Sequence, residues 1–324
     1  MLKSVFNLKT FQKSLSLTNL PLNQRFSIKA IDIFHNKLEQ LKKENVTEPE
    51  NSLELIFAHV LNKKLLREVR GKSLEKLTLT DEETQKIDDC VLCRLSRMPT
   101  QYILKNWEFR DLELNMKIPV FIPRPETEEL IELVTQKIDP KPEDDCKVLE
   151  VGCGSGAISL SLLNELPNLK TIVAIDQSKT ACELTLENAK KLNLADRIRI
   201  FKHKVDSDKL PDEITMNGKF DCIISNPPYV PKKDLLKLDP EIYLYEDLRA
   251  LDGGEDGLDV INILLKLASK YLKKGGSLWL EVDHRHPEII EKIVEMNQDD
   301  WKLKYAACYK DIFKKERFVE IEKV

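Results

Sequence analysis

Four consecutive residues in the C-terminal half of the chain have the types and order to hold a planar NH2 group. Asn226-Pro227-Pro228-Tyr229 follows the short apolar run 220–224. The prolines end this predicted strand because neither can donate a ladder hydrogen bond and each restricts the residue before it. Asn226 is therefore expected on a stiff turn at the carboxyl end of a strand, where open α/β sheets place their ligands. We call residues 226–229 the clamp.

The clamp fits methyl transfer to an amide or exocyclic nitrogen. An amide nitrogen is a poor nucleophile because its lone pair is delocalised, so its NH2 group must be held in line with the methyl donor. The Asn226 side-chain oxygen and the Pro227 carbonyl can accept its hydrogens, and Tyr229 can cover the planar group. This catalysis uses orientation and preorganised dipoles and needs no metal. We assign catalysis to Asn226, Pro227 and Tyr229, and substrate binding to all four clamp residues, Pro228 included.

A glycine-rich stretch upstream predicts a cofactor that carries a nucleoside. The stretch, residues 150–157, joins a predicted strand to a helix, and its glycines let a ligand approach the backbone. Asp176 ends the next predicted strand, where a carboxylate can bind both ribose hydroxyls, and Asp206 is the expected contact of the adenine amino group. The predicted cofactor-binding residues are Glu150, Gly152, Cys153, Gly154, Ser155, Gly156, Asp176, Asp206 and Asn226.

The glycine spacing leaves two cofactors open. Gly152, Gly154 and Ala157 also satisfy the dinucleotide pattern G-x-G-x-x-G/A. S-adenosylmethionine fits better than NAD, because Glu150 would repel a pyrophosphate but suits a zwitterionic methionyl sulfonium. No lysine follows the glycines, which excludes a P-loop.

Strands and helices alternate from Cys146 onward, which predicts a parallel sheet with crossover helices. The predicted strands are 147–151, 171–175, 198–202, 220–225 and 277–282. The predicted helices are 156–166, 178–192, 257–273 and 287–296. Residues 301–308 and 317–321 are predicted to form a terminal antiparallel hairpin.

The part before this sheet is predicted to be helical. Apolar residues recur at helical spacing over 27–41, 52–61 and 81–97, and Thr80 with Glu83 forms a capping box. Packing explains these apolar positions, so we expect a helical substrate-recognition domain over 26–104. The alternating stretch 105–122 predicts a hairpin that links it to a catalytic domain over 123–324.

Composition excludes several other classes of protein. The 324 residues contain no apolar run near the roughly 18 residues that a membrane helix needs. The seven cysteines are scattered, and Cys90 and Cys93 have no second pair at zinc spacing, so neither disulfides nor a metal is expected. His284 and His286 are predicted to be solvated loop residues and not metal ligands.

The basic residues are unevenly distributed. Residues 1–31 hold five basic residues and no acid, interleaved with Ser, Leu and Phe, while the whole chain has a net charge of −4. This pattern is typical of an organellar transit peptide, which we place over residues 1–25; a basic N-terminal arm is the alternative. The acidic remainder argues against stable binding to nucleic acid.

Several separate stretches resemble one family of enzymes, the HemK/PrmC protein-(glutamine-N5) methyltransferases, which act on class 1 peptide chain release factors. The matching stretches are Arg97–Ile103, Ile122–Glu128, Glu150–Gly156, Asn226–Tyr229 and Ala250–Leu258. The chain departs from the family pattern at Lys105, near a position that is usually glycine, and at Asp247, where proline is common.

The resemblance implies a seven-stranded, Rossmann-like class I methyltransferase fold that binds S-adenosylmethionine. The substrate would be the glutamine of the release factor's Gly-Gly-Gln loop, held by the clamp, with Pro123 to Thr127 closing over the cofactor. With the basic N-terminus, the chain resembles a mitochondrial form that methylates a mitochondrial release factor in the matrix. We expect it to act as a monomer, without a membrane.

The same residues are compatible with three other functions. The first is an adenine-N6 methyltransferase on DNA or RNA, since the same clamp fits a flipped exocyclic amine. The second is a NAD-dependent oxidoreductase that uses the glycine-rich stretch, which leaves the clamp without a role. The third is a non-catalytic binding module, for which the clamp would be surplus.

Overall fold

The structure is a computed structural model that describes residues 29–63, 66–138, 140–216 and 218–324. The predicted transit peptide, residues 1–25, lies outside the described residues. Internal contacts divide the chain into two units, Met1–Leu95 and Ser96–Val324. The predicted domain boundary at residue 104 falls within the second unit. Among the described residues, none of the helices combines the length and apolar character that crossing a membrane requires.

The first unit is helical over its described residues. Its helices are α1 (Ala30–Lys43), α2 (Pro49–Val60), α3 (Lys72–Glu75) and α4 (Asp81–Leu95), with a 3-10 turn at Leu66–Val69. The predicted capping box begins α4. The Thr80 N–H donates to Glu83 Oε2 at 2.8 Å, and the Glu83 N–H donates to Thr80 Oγ1 at 3.1 Å. The predicted helices are thus present, with ends shifted by a few residues.

The second unit begins with a short helix and a hairpin. Helix α5 (Thr100–Leu104) is followed by β1 (Asn106–Phe109) and β2 (Leu112–Asn115), which pair antiparallel. Lys105 joins α5 to the hairpin with a φ of 61°, the left-handed region that favours glycine. The glycine usual near this position in the family therefore has a backbone reason. The hairpin is confirmed, but its strands end at Asn115 and not at residue 122.

A seven-stranded sheet forms the centre of the second unit. Its strands are β3 (Lys147–Val151), β4 (Thr171–Asp176), β5 (Ile198–Lys202), β6 (Phe220–Ser225), β7 (Leu272–Glu281), β8 (Leu303–Lys310) and β9 (Glu316–Lys323). The strand order is β5-β4-β3-β6-β7-β9-β8. The pairs β7–β9 and β9–β8 are antiparallel, and the other neighbouring pairs are parallel. The predicted strands and the terminal hairpin are confirmed. Strand β7 starts earlier than predicted.

Helices cover both faces of this sheet. They are α6 (Glu126–Lys137), α7 (Ala157–Glu165), α8 (Lys179–Lys191), α9 (Asp212–Thr215), α10 (Pro240–Tyr245), α11 (Asp259–Tyr271), α12 (Pro287–Met296) and α13 (Gln298–Trp301). Side chains of α6, α7 and α8 share one apolar core with the sheet, and those of α11 and α12 share the other. The strand order reverses beside β3, which pairs with both β4 and β6. A crevice for a ligand is expected outside the carboxyl ends of these strands.

Candidate active site

A cavity of about 650 Å³ lies at the carboxyl ends of β3, β4 and β6. This volume is within the range of sites for cofactors and small molecules. Predicted site residues that line it are Gly152, Gly154, Asp176, Asp206, Asn226, Pro227, Pro228 and Tyr229. A smaller adjoining cavity of about 40 Å³ is lined by the other predicted cofactor contacts Glu150, Cys153 and Ser155, and shares Asn226 with the first. Gly156 lines neither.

The glycines of the β3–α7 loop have different uses. Gly152 and Gly154 have positive φ values of 82° and 56° and face the main cavity, where a side chain would occupy ligand space. Gly156, with a φ of 85°, precedes α7, and a Cβ there would lie 2.9 Å from the Leu160 side chain and 3.0 Å from that of Thr185. The first two glycines leave space for a ligand, whereas Gly156 permits close packing of the helix.

Asp176 stands at the end of β4 with both carboxylate oxygens bonded to backbone amides. Oδ2 accepts from the Gly154 N–H at 3.0 Å, and Oδ1 accepts from the Ser178 N–H at 2.7 Å. Burial raises the pKa of Asp176, while these two amides lower it. Each oxygen can still accept another hydrogen bond. The side chain lines the main cavity with acceptor capacity left, and its contact with a ribose stays a prediction.

Glu150, a predicted contact of the cofactor, is almost fully buried. Its side chain is 1% exposed and lines the small cavity only. Oε2 accepts from the Ser159 N–H at 3.1 Å and from the Ser159 hydroxyl. Burial raises the pKa of Glu150 to about 8, although the two hydrogen bonds from Ser159 lower it.

The clamp has one side-chain oxygen and one backbone oxygen that accept no hydrogen bond from the described residues. Asn226 is half-buried, and its Nδ2 donates to Thr127 Oγ1 at 3.2 Å. In the described part of the chain, nothing donates to Asn226 Oδ1 or to the Pro227 carbonyl oxygen. Both can therefore accept hydrogens from an incoming NH2 group.

A buried carboxylate lies behind the clamp. Glu281, 1% exposed at the end of β7, accepts a hydrogen bond from Thr127 Oγ1 at 2.7 Å and another from the Tyr229 hydroxyl at 3.2 Å. Arg317 Nη1 donates to the same hydroxyl at 3.5 Å. Burial raises the pKa of Glu281, whereas Thr127, the charge of Arg317 and Tyr229 lower it. Sequence reasoning missed Glu281 and Arg317; the signal for Glu281 is an acid within an apolar strand.

The back of the clamp packs closely against residues 250–258. The Val230 N–H donates to the Leu251 carbonyl at 2.9 Å, and the Gly253 N–H donates to the Val230 carbonyl at 2.9 Å. A Cβ on Gly253 would lie 2.8 Å from the Pro228 carbonyl oxygen, and one on Gly257 would lie 2.3 Å from that of Tyr229. Glycine is therefore required at both positions for the clamp to lie where it does.

The segment before α6 follows one wall of the main cavity. Phe121 and Arg124 line the cavity, and buried Glu246 holds the segment. Glu246 Oε2 accepts from the Ile122 N–H at 3.1 Å, and Oε1 accepts from Arg124 Nη2 at 2.6 Å. At the departure from the family pattern, the Asp247 N–H donates to the Pro119 carbonyl at 2.7 Å, a bond that proline could not make.

Two further predicted features have different outcomes. Asp206 is exposed at the cavity wall.

The prediction that both histidines are solvated is wrong for His286, which is 2% exposed and whose Nε2 lies 3.0 Å from the Asp256 carbonyl oxygen. His286 is buried because the missing side chain of Gly257 leaves space for its ring. The described residues hold no cluster of His, Cys, Asp or Glu that could bind a metal ion.

Known proteins resemble both units. The PrmC N-terminal domain model matches residues 34–104, and the methyltransferase small domain model matches residues 127–239. The chain is 42% identical to the human MTRF1L release factor glutamine methyltransferase, over 91% of this chain and 87% of the relative. It is 33% identical to the release factor glutamine methyltransferase of Fusobacterium nucleatum, over 92% and 83%. The crystal structure of TrmN from Thermus thermophilus matches with a TM-score of 0.42 and 18% identity, over 62% of this chain and 48% of that one.

Proposed function

The chain belongs to the HemK/PrmC family of release factor glutamine methyltransferases, and we propose that its clamp performs the family's methyl transfer. It is an S-adenosylmethionine-dependent enzyme that methylates a glutamine of a peptide chain release factor. The acceptor atom is the side-chain nitrogen N5 of the glutamine in the Gly-Gly-Gln motif of a class 1 factor. The observation that supports the clamp's role is the pair of open oxygens on Asn226 and Pro227 beside the main cavity.

The two cavities have the chemistry that this cofactor needs. Gly152 and Gly154 leave the backbone of the β3–α7 loop accessible, and Asp176 can accept hydrogen bonds from ribose hydroxyls. Glu150 supplies a buried carboxyl group to the small cavity that adjoins Asn226. When bound, S-adenosylmethionine supplies an electrophilic methyl group on a sulfonium.

The clamp acts on the glutamine side chain by holding it. Asn226 Oδ1 and the Pro227 carbonyl accept the two hydrogens of the amide, which fixes the direction of the nitrogen. Tyr229 lies at the cavity wall with its hydroxyl bonded to buried Glu281, so its ring is held in place to cover the planar group. Burial raises the pKa of the Tyr229 hydroxyl, which therefore stays protonated. Orientation and fixed dipoles supply the rate enhancement.

The proposal also includes the enzyme's partner and its location in the cell. The helices of 26–104 recognise the release factor, and the enzyme works as a monomer without stable binding to nucleic acid. The substrate is a mitochondrial factor in the matrix, which the basic, acid-free residues 1–31 support. A fluorescent protein fused to residues 1–30 should enter mitochondria, and a fusion in which the five basic residues are replaced by glutamine should not. Cytosolic signal from the first fusion contradicts the location.

The experiment is methylation of purified release factor, followed by mass spectrometry of its Gly-Gly-Gln peptide. We expect one added methyl group on the glutamine, and none on a factor whose glutamine is replaced by asparagine. Parallel reactions contain single-stranded and duplex DNA and RNA with adenine targets, which test the alternative adenine-N6 activity. Methylated adenine with an unmodified release factor would overturn the proposal.

A further inference from the structure

Three residues from distant parts of the chain meet behind the open oxygen of the clamp. Asn226 follows β6, Thr127 lies in the first turn of α6, and Glu281 ends β7. We propose that Thr127 and Glu281 are positioning residues that determine which end of the Asn226 amide faces the substrate. This inference rests on the proposed function and deepens it, because the clamp works only when the amide presents its oxygen.

The direction of the first hydrogen bond follows from the number of hydrogens. A threonine hydroxyl has one hydrogen and two lone pairs. Thr127 Oγ1 lies 2.7 Å from Glu281 Oε2, and an ionised carboxylate can only accept. The hydroxyl hydrogen is therefore used by Glu281. Only a lone pair of Thr127 remains for Asn226, so the group turned toward Thr127 must be the amide NH2.

The second carboxylate oxygen strengthens this assignment. Glu281 Oε1 accepts from the Tyr229 hydroxyl at 3.2 Å, and that hydroxyl in turn accepts from Arg317 Nη1 at 3.5 Å. Both oxygens of Glu281 are thus approached by hydroxyl donors, and a guanidinium supplies positive charge nearby. The contacts are those of a carboxylate that accepts on both sides.

The opposite orientation of the amide has no partner. It would turn Asn226 Oδ1 toward Thr127 Oγ1, so that two acceptors would face each other. It would also present two N–H donors to a substrate NH2 group, which needs acceptors. The chain Glu281–Thr127–Asn226 therefore selects the orientation in which Oδ1 is open, before any substrate arrives.

A matched pair of variants at one position tests this inference. Thr127→Val keeps the shape of the side chain and removes the hydroxyl, whereas Thr127→Ser keeps the hydroxyl. We expect Thr127→Val to lower kcat for release-factor methylation about 10- to 100-fold, because the amide loses its fixed direction. Thr127→Ser should restore kcat to within a few-fold of the wild type. The affinity for S-adenosylmethionine, measured by calorimetry, should change little in either variant.

Glu281→Gln tests the same relay from its other end. The new amide can donate to Thr127 Oγ1, which releases the hydroxyl hydrogen toward Asn226 and removes the preference for one orientation. We expect a fall in kcat similar to that of Thr127→Val. The double variant should be about as slow as either single variant, because all interrupt one chain. Multiplied effects in the double variant would overturn the relay.

A spectroscopic readout separates the orientation from turnover. In the 15N-labelled protein without ligands, the two side-chain NH2 signals of Asn226 are identified by their loss in Asn226→Asp. Thr127→Val should move these signals and speed their exchange with water, and Thr127→Ser should restore them. Unchanged signals in Thr127→Val would overturn the inference. If the wild type fails to methylate release factor while the signals respond as expected, the proposed function fails and the fixed orientation stands.

Discussion

Each unit of the molecule contains a buried polar network, and the two networks differ in one respect. In the first unit, the Arg94 guanidinium donates to the Thr47 carbonyl at 2.8 Å, to its hydroxyl at 2.9 Å and to the Ser52 hydroxyl at 3.1 Å. We call this network closed, because these bonds join residues of one unit and the Arg94 side chain is buried, 3% exposed. In the second unit, the chain from Glu281 through Thr127 to Asn226 ends at a cavity with one oxygen open.

The difference distinguishes a structural network from one that can bind. A closed network contributes to the free energy of unfolding and has no capacity left for a ligand. An open network bears the cost of burying polar groups while keeping one acceptor available, and such preorganised dipoles are what catalysis uses. Substitutions in the two networks should therefore change different measured quantities.

Loss of the open acceptor should have the largest effect. Asn226→Ala removes Oδ1, so we expect kcat for release-factor methylation to fall about 10²- to 10³-fold. The affinity for S-adenosylmethionine should stay within a few-fold, as titration calorimetry can show. A variant with wild-type turnover would remove the distinction between the two networks.

Loss of the closed network should reduce stability without reducing cofactor affinity. Arg94→Met leaves the Thr47 and Ser52 oxygens without their buried donor, and we expect unfolding of residues 29–95 to become easier by about 1–3 kcal/mol. Hydrogen exchange of this unit measures the effect. Lys86→Met, which removes an exposed pairing with Glu82 on α4, is the control and should matter less. Equal effects would contradict the structural role of Arg94.

Asp176 should show the effect of an acceptor that is assigned to the cofactor and not to the glutamine. Asp176→Ala should weaken S-adenosylmethionine binding about 10- to 100-fold, because two charge-assisted hydrogen bonds are lost. Asp206→Ala, at an exposed position of the same cavity, is the matched control and should change affinity by a few-fold or less. Calorimetry that finds the two variants alike would remove the special role of Asp176.

Glu150 should give an effect of another kind, which is visible as a pH dependence of stability. Its pKa is raised to about 8 from 4.5, so the folded protein keeps a proton that the unfolded chain has lost. The wild type should therefore lose stability as pH rises from about 4.5 to about 8. Glu150→Gln should be similar in stability at pH 5 and increasingly more stable than the wild type toward pH 8. A thermal-unfolding difference that is constant over this range would contradict the raised pKa.

Much of the site follows from local sequence, and the rest depends on strand neighbours. The glycine-rich stretch, Asp176 and the clamp are each found by local pattern, and the α/β alternation predicts that they meet at one edge of the sheet. Glu281 could not be found this way, since it contacts Thr127 from 154 residues away. Its position depends on β7 lying beside β6, and that of Arg317 on β9 returning antiparallel to β7.

The burial of particular polar residues also could not be predicted from the sequence. Glu150 and His286 are polar residues next to loops, and nothing local shows that Ser159 and Gly257 enclose them. The sequence shows Lys105 only as a departure from the family, whereas its left-handed backbone explains why glycine is favoured near that position.

The fit of Gly253 and Gly257 against the clamp has a consequence for protein engineering. Because a Cβ on either glycine would collide with the carbonyl group of Pro228 or Tyr229, the clamp keeps its position only beside a backbone without side chains at these two points. A designer who wishes to graft this amide-gripping turn onto another protein would have to transplant residues 250–258 as its mould. Libraries that randomise the turn should leave those glycines untouched.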